Sequence, residues 1–157
     1  MERVPMTLEG HRALAGELKR LKEVERPRVA NEIGLAREHG DLRENFEYHA
    51  AKDKQGLIEA RIADLEDKLA RADVVDSSQM KGDRVKFGAR VTLEDVASGR
   101  QLEYRIVGPV ESDIDKGTIS VTSPVARAMI NREVGDEVRV QAPGGLRVYE
   151  ITELRWS

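Results

Sequence analysis

The sequence predicts an α+β protein, with a long antiparallel helical hairpin at its N-terminus and a small, mostly antiparallel sheet domain after it. Three observations lead there. Apolar residues from Leu14 to Ala72 recur at three- and four-residue spacing, the narrow seam of a two-helix coiled coil. Only a few residues around Gly40 interrupt that pattern, so the two helices must turn back on each other. Beyond Arg84 the apolar period becomes two, as in strands with one buried face.

In chain order, Thr7 is placed to cap the first helix, since its hydroxyl can accept from a free N–H of the first turn. Leu14, Leu18 and Leu21 start the seam, and Val29, Ile33 and Ala36 resume it after a skip. Pro27 falls inside this helix and is expected to weaken or kink it, because it removes an internal hydrogen bond. The second helix carries Ala51, Gln55, Ile58, Ile62, Leu65, Leu69 and Ala72 on one stripe. At ~1.5 Å per residue each arm is roughly 40–48 Å long. Asp73 to Asp83 is polar and turn-rich and reads as a linker, giving expected divisions at 1–76, 77–83 and 84–157. Phe87, Ala89, Val91 and Leu93 alternate with polar or small residues, as do Leu102, Tyr104 and Ile106; Ile119 with Val121 and Val138 with Val140 continue the pattern. Within "SPVARAMI" a short helix is predicted, with Ser123 as N-cap and Pro124 at the first helical position.

Composition fits this architecture and excludes several functions. Of 157 residues, 39% are hydrophobic and 35% charged, which suits exposed helices with a thin apolar seam. There is no cysteine, so neither disulfides nor thiolate metal sites can form. No apolar run resembles a signal or a membrane span, and a soluble, cytoplasmic protein without membrane association is expected. A net charge of −3, from 26 basic and 29 acidic residues, argues against wholesale wrapping of nucleic acid and favours a protein partner.

The stretch "GDLRENFEY", Gly40 to Tyr48, gathers Asp41, Glu44 and Glu47 where the helices reverse. A purely structural reading accounts for part of it: Gly40 ends the first helix in a left-handed conformation, while Asp41 and Glu44 form a capping box for the second. The functional reading starts from repulsion between crowded carboxylates, which a divalent cation relieves. Mg²⁺ commonly takes one or two protein carboxylates and fills its remaining positions with water and phosphate oxygens. Such a tip is half a metal site, and a partner must supply the rest. His39 and His49 flank the acids without forming a Glu-x-x-His pair, so a self-sufficient metal centre is not expected. Arg37, Arg43, Lys52 and Lys54 cluster near the turn and are suited to a phosphate backbone. Tyr48 is suited either to helix packing or to stacking on a base.

The segment "AREHGDLRENFEYHAAKDKQG", Ala36 to Gly56, resembles the coiled-coil tip motif of the bacterial transcript cleavage factors of the GreA/GreB family, closer to its GreA branch. "SVTSPVARAMINREVGDEV", Ser120 to Val138, resembles that family's second signature, and "PMTLEG" and "FGARVTLED" extend the likeness to nearly the whole chain. The resemblance implies an N-terminal coiled coil and a C-terminal domain of FKBP-like fold that docks on RNA polymerase at the rim of its secondary channel. It implies a monomeric accessory factor, not an enzyme, which stimulates the polymerase's own cleavage of the nascent RNA 3′ segment in stalled or backtracked complexes. By motif position, Asp41 and Glu44 are then the carboxylates that help hold a second Mg²⁺ shared with the polymerase. Arg37 and Lys52 match the RNA-proximal basic positions, and Ser123, Pro124 and Arg127 the docking motif. No other cofactor is implied. The alternative within the same architecture is a channel-binding inhibitor of polymerase, whose tips carry more acids in a different motif. One position departs from the family pattern: Phe46 stands where alanine is usual, adding bulk beside the carboxylates.

Overall fold

The computed structural model describes residues 2–41 and 44–156. The chain forms two compact units: His11–Arg71, and a second that joins the chain up to Gly10 to everything from Ala72 onward. The sequence placed the divisions at 76 and 84, whereas the structure builds both the first residues and the whole expected linker into the sheet unit. The reason is a pairing across the chain. Strand β1 (Val4–Thr7) lies parallel to β2 (Ala72–Val75), with Val4 opposite Ala72.

The helical unit contains most of α1 (Leu8–Arg20), a π-helical turn (Leu21–Glu25), α2 (Arg26–Arg37) and α3 (Phe46–Arg71). The π turn explains the skip in the seam. From Leu21 to Val29 is one residue more than a heptad, and a π turn absorbs one extra residue, returning Val29 to the inner face. The turn closes with the Arg26 N–H donating to the Leu21 carbonyl. Pro27 follows in the first turn of α2, so its missing N–H and its ring face the widened turn instead of a regular ladder.

Val29, Ile33 and Ala51 form the buried cluster between α2 and α3, with Tyr48 and Ile58 packed against it. So thin a seam leaves register to the flanking charges. Arg26 binds Glu59 through two bonds of 2.8 Å, and Arg61 binds Glu17 at 2.8 and 2.9 Å. The hydrogen bond from Arg61, then its charge, holds the Glu17 carboxyl below its ordinary range. Exposed pairs of this kind stabilise weakly, but the two-pronged geometry fixes which residues face each other.

In the sheet unit five strands run in the order β5-β4-β3-β7-β6. These are β3 (Arg90–Asp95), β4 (Gln101–Val107), β5 (Thr118–Ser120), β6 (Glu137–Ala142) and β7 (Gly145–Arg155). All neighbours are antiparallel except β4 and β5. Helix α4 (Pro124–Met129) closes the core, contributing Ala126 and Met129 to a cluster with Val85, Val91, Leu93, Ile106 and Ile151. Strand β7 escaped the period-two reading because of a bulge: Leu93 pairs with Ile151 and Thr92 with Glu153, leaving Thr152 extra. The bulge reverses the in-out phase, so Ile151 and Leu154 both meet the core at an odd spacing.

Within this unit the start of α1 is anchored by one carboxylate. Glu111, in the loop after β4, accepts from the Thr7 N–H at 2.8 Å, from the Thr7 hydroxyl, and from the Gly108 N–H at 3.2 Å. The Thr7 hydroxyl in turn accepts from the Gly10 N–H at 3.0 Å, which makes it the helix cap that the sequence predicts. A Cβ at Gly108 would overlap the Pro5 carbonyl oxygen, so only glycine lets the strand approach. Thr7 is 1% exposed. Glu111→Ala strands its buried donors, and the expected cost is about 2 kcal/mol. Urea unfolding followed by Trp156 fluorescence measures it, and Glu111→Ala combined with Thr7→Val is expected to cost less than the two changes summed.

Candidate functional site at the hairpin tip

Two helices that reverse within a few residues must satisfy the last carbonyls of one and the first N–H groups of the other. Helix α2 closes with the Glu38 N–H on the Leu35 carbonyl at 3.2 Å and the His39 N–H on the Ala36 carbonyl at 3.1 Å. Gly40 then turns the chain with φ of 104°, a conformation costly for any side chain, as the sequence predicts. The start of α3 differs from expectation. Its cap is Asn45, whose Oδ1 accepts from the Tyr48 N–H at 3.0 Å. The same side chain donates through Nδ2 to the Ala36 carbonyl at 2.6 Å, tying the end of α2 to the beginning of α3.

The cap of α3 is therefore Asn45 and not the expected Asp41, because α3 starts at Phe46 and takes the nearer amide. An asparagine is the better choice at this point, since it accepts for one helix and donates to the other, whereas a carboxylate only accepts. Asp41 and Glu44 are both exposed. They line one shallow depression at the tip together with His39, Asn45, Phe46 and Glu47. His39 Nε2 lies 3.6 Å from a Glu47 carboxylate oxygen.

The basic candidates take different positions. The Arg37 guanidinium lies over the Tyr48 ring, 5.9 Å from its centroid, and the Lys52 ammonium donates to Gln55 at 3.1 Å. Both side chains are exposed. Tyr48 is half-buried and packs against the hairpin's cluster, as its packing reading expects. Lys54 pairs with Glu32 at 3.4 Å across the helices. Arg43 lies outside the described residues.

Among the described residues no group of three or more acidic, histidine or cysteine side chains is placed to hold a metal ion. Two exposed carboxylates in one depression do fit a Mg²⁺ whose other ligands come from water, phosphate and a partner.

In the sheet unit the second candidate set lies on α4. Ser123 Oγ accepts from the Ala126 N–H at 3.3 Å as the helix cap, and Pro124 occupies the first turn. Arg127 projects from the same turn and is exposed.

Residues 4–74 match the family described as "Transcription elongation factor, N-terminal", and residues 79–155 match "Transcription elongation factor, GreA/GreB, C-term". The chain belongs to the GreA/GreB family of transcription elongation factors. It is 57% identical over 156 residues to the transcription elongation factor GreA of Phenylobacterium zucineum (strain HLK1), covering 99% of each chain. It is 58% identical over 157 residues to that of Maricaulis maris (strain MCS10), covering 100% of each. Among solved structures it is similar to GreA factor homolog 1 of Thermus thermophilus, at 30% identity over 98% of this chain and 99% of that one, with a TM-score of 0.45.

Sequence reasoning singled out the carboxylates of this GreA/GreB tip but missed Asn45. A signal was present, since asparagine three residues before Tyr48 on the helix is a capping spacing. Asn45→Ala is expected to destabilise the hairpin by about 1–2 kcal/mol through loss of the cap. Amide exchange at Tyr48 is the readout. Asp41→Asn and Glu44→Gln are expected to leave it unchanged.

Proposed function

We propose that this chain binds RNA polymerase at the rim of its secondary channel and stimulates cleavage of the nascent transcript's 3′ segment in stalled or backtracked complexes. In this reading Asp41 and Glu44 would hold a second Mg²⁺ together with the polymerase's own carboxylates. Such an ion supplies water activation and stabilises the leaving oxygen. Arg37 and Lys52, at the same end of the hairpin, steady the RNA phosphates. Docking falls to the α4 surface, where Ser123 and Pro124 set the helix and Arg127 supplies an exposed charge. The chain acts as a monomer and works where polymerase works, in the cytoplasm.

The observation that carries this reading is the cap of α3. Asn45 satisfies the start of α3, so that cap does not require an acid at position 41 or 44. Two carboxylates brought to one exposed depression have a chemical reason if a partner completes the site. Asp41→Asn or Glu44→Gln is expected to slow stimulated cleavage roughly 10- to 100-fold, as lost metal-site interactions do. Stalled elongation complexes with Mg²⁺ and labelled RNA test this, with polymerase binding measured in parallel. Unchanged cleavage by the double variant refutes metal delivery.

Among the described residues the tip has no enclosing pocket to position a substrate or exclude water, and those contributions supply most of an active site's power. Free labelled RNA with Mg²⁺ is therefore expected to stay intact at any concentration of this chain. Mg²⁺-dependent cleavage without polymerase, lost on changing Asp41 or Glu44, would make the chain a nuclease in its own right. Transcription arrest without RNA shortening would instead identify a channel-blocking inhibitor.

A further inference from the structure

We propose that Phe46 is a base-stacking residue, whose ring lies against the nucleobase next to the phosphate that Asp41 and Glu44 address. The inference rests on the reading just given for the tip. Phe46 is 89% exposed, the highest value among the large hydrophobic side chains described, with Leu57 next at 73%. It takes no part in the cluster of Val29, Ile33 and Ala51, although Tyr48 two residues later does. Nor does helix formation ask for it, since the first helical position favours proline or an acidic residue. Its backbone is nevertheless well placed: Phe46 opens α3 immediately after Asn45, the residue bonded to both helices. The ring is presented from a fixed point.

Its surroundings select the partner. Among the described residues, the depression that Phe46 lines is otherwise formed by His39, Asp41, Glu44, Asn45 and Glu47. A protein pocket would normally meet such a ring with an apolar rim around it, which excludes water from the contact. Among the described residues the rim is polar and charged. A nucleobase suits it better, because it offers an apolar face to the ring and a hydrogen-bonding edge to the polar neighbours. Arg37 and Lys52 at the same end supply positive charge for the adjoining phosphates. Since ring and carboxylates share one depression, the stacked base belongs to a nucleotide beside the scissile phosphate. Phe46 is thus a positioning residue, and it acts on the base, not on the metal.

The test uses the full chain on stalled, backtracked elongation complexes that differ only at the nucleotide flanking the scissile bond, which is purine or abasic. Wild-type protein is expected to cleave the purine complex roughly tenfold faster than the abasic one, the scale of one lost base stack. Phe46→Ala and Phe46→Leu are expected to erase that ratio, and Phe46→Trp to keep it. A second measurement does not depend on cleavage. With 2-aminopurine at the same nucleotide, the Asp41→Asn chain is expected to change its fluorescence on binding, and the Asp41→Asn, Phe46→Ala chain to leave it unchanged. A purine-to-abasic ratio that survives Phe46→Ala, or a fluorescence change that does, overturns the proposal while leaving metal delivery intact. Weaker polymerase binding by Phe46→Ala, equal for both complexes, would assign the ring to a protein contact and also overturn it. If wild-type protein changes the fluorescence but cleaves neither complex, the failure lies with metal delivery and not with stacking.

Discussion

Asn45 is the residue on which the tip depends. A helical hairpin that reverses in a few residues concentrates unsatisfied carbonyls and N–H groups at one end, where there is no core to shelter them. One amide answers both demands, by accepting from the Tyr48 N–H and donating to the Ala36 carbonyl. The second bond spans the two helices, so the side chain closes the turn as well as starting α3. With the turn closed in this way, the neighbouring acids need not serve as helix caps. Their exposure in a shared depression follows from that division of labour.

The same economy marks the rest of the helical unit. Its buried cluster between α2 and α3 is small, and one slipped residue would rotate Val29 and Ile33 out of it. The sequence contains such a slip between Leu21 and Val29, and the π turn cancels it. Two-pronged bonds from Arg26 to Glu59 and from Arg61 to Glu17 then hold the facing residues in place. These charges are exposed and add little net stability one by one. Their value is geometric, because each admits only one alignment of the helices. A hairpin held by register instead of by bulk needs no thick core between its helices.

The parts legible in the sequence are those governed by local period and local chemistry. Seam spacing specified the hairpin, Gly40 its turn, Thr7 the cap of α1, and Ser123 with Pro124 the start of α4. What escaped was non-local or out of phase. The pairing of β1 with β2, and the Glu111 bond to Thr7 across 104 residues, leave no periodic trace. Strand β7 was hidden because its bulge at Thr152 shifts the alternation partway along. The acidic window showed that carboxylates gather at the turn, but two capping residues were possible, Asp41 and Asn45. Composition cannot choose between them. The choice depends on which one reaches Ala36 on the other helix, and only the folded turn decides that.

That choice also sets the limits of what the tip can do alone. A carboxylate engaged as a helix cap is partly neutralised by the N–H groups it accepts from, which weakens it as a metal ligand. Assigning the cap of α3 to a neutral amide spares the acids that particular role. Exposure has the opposite consequence for catalysis, since water surrounds the acids and screens their charge. Two solvated carboxylates hold Mg²⁺ weakly and position no substrate. In a site that already carries negative charge, phosphate and a first ion, the same pair would complete a coordination shell without having to build one. In the proposed function, that exposure suits the tip to a site whose remaining groups a partner supplies.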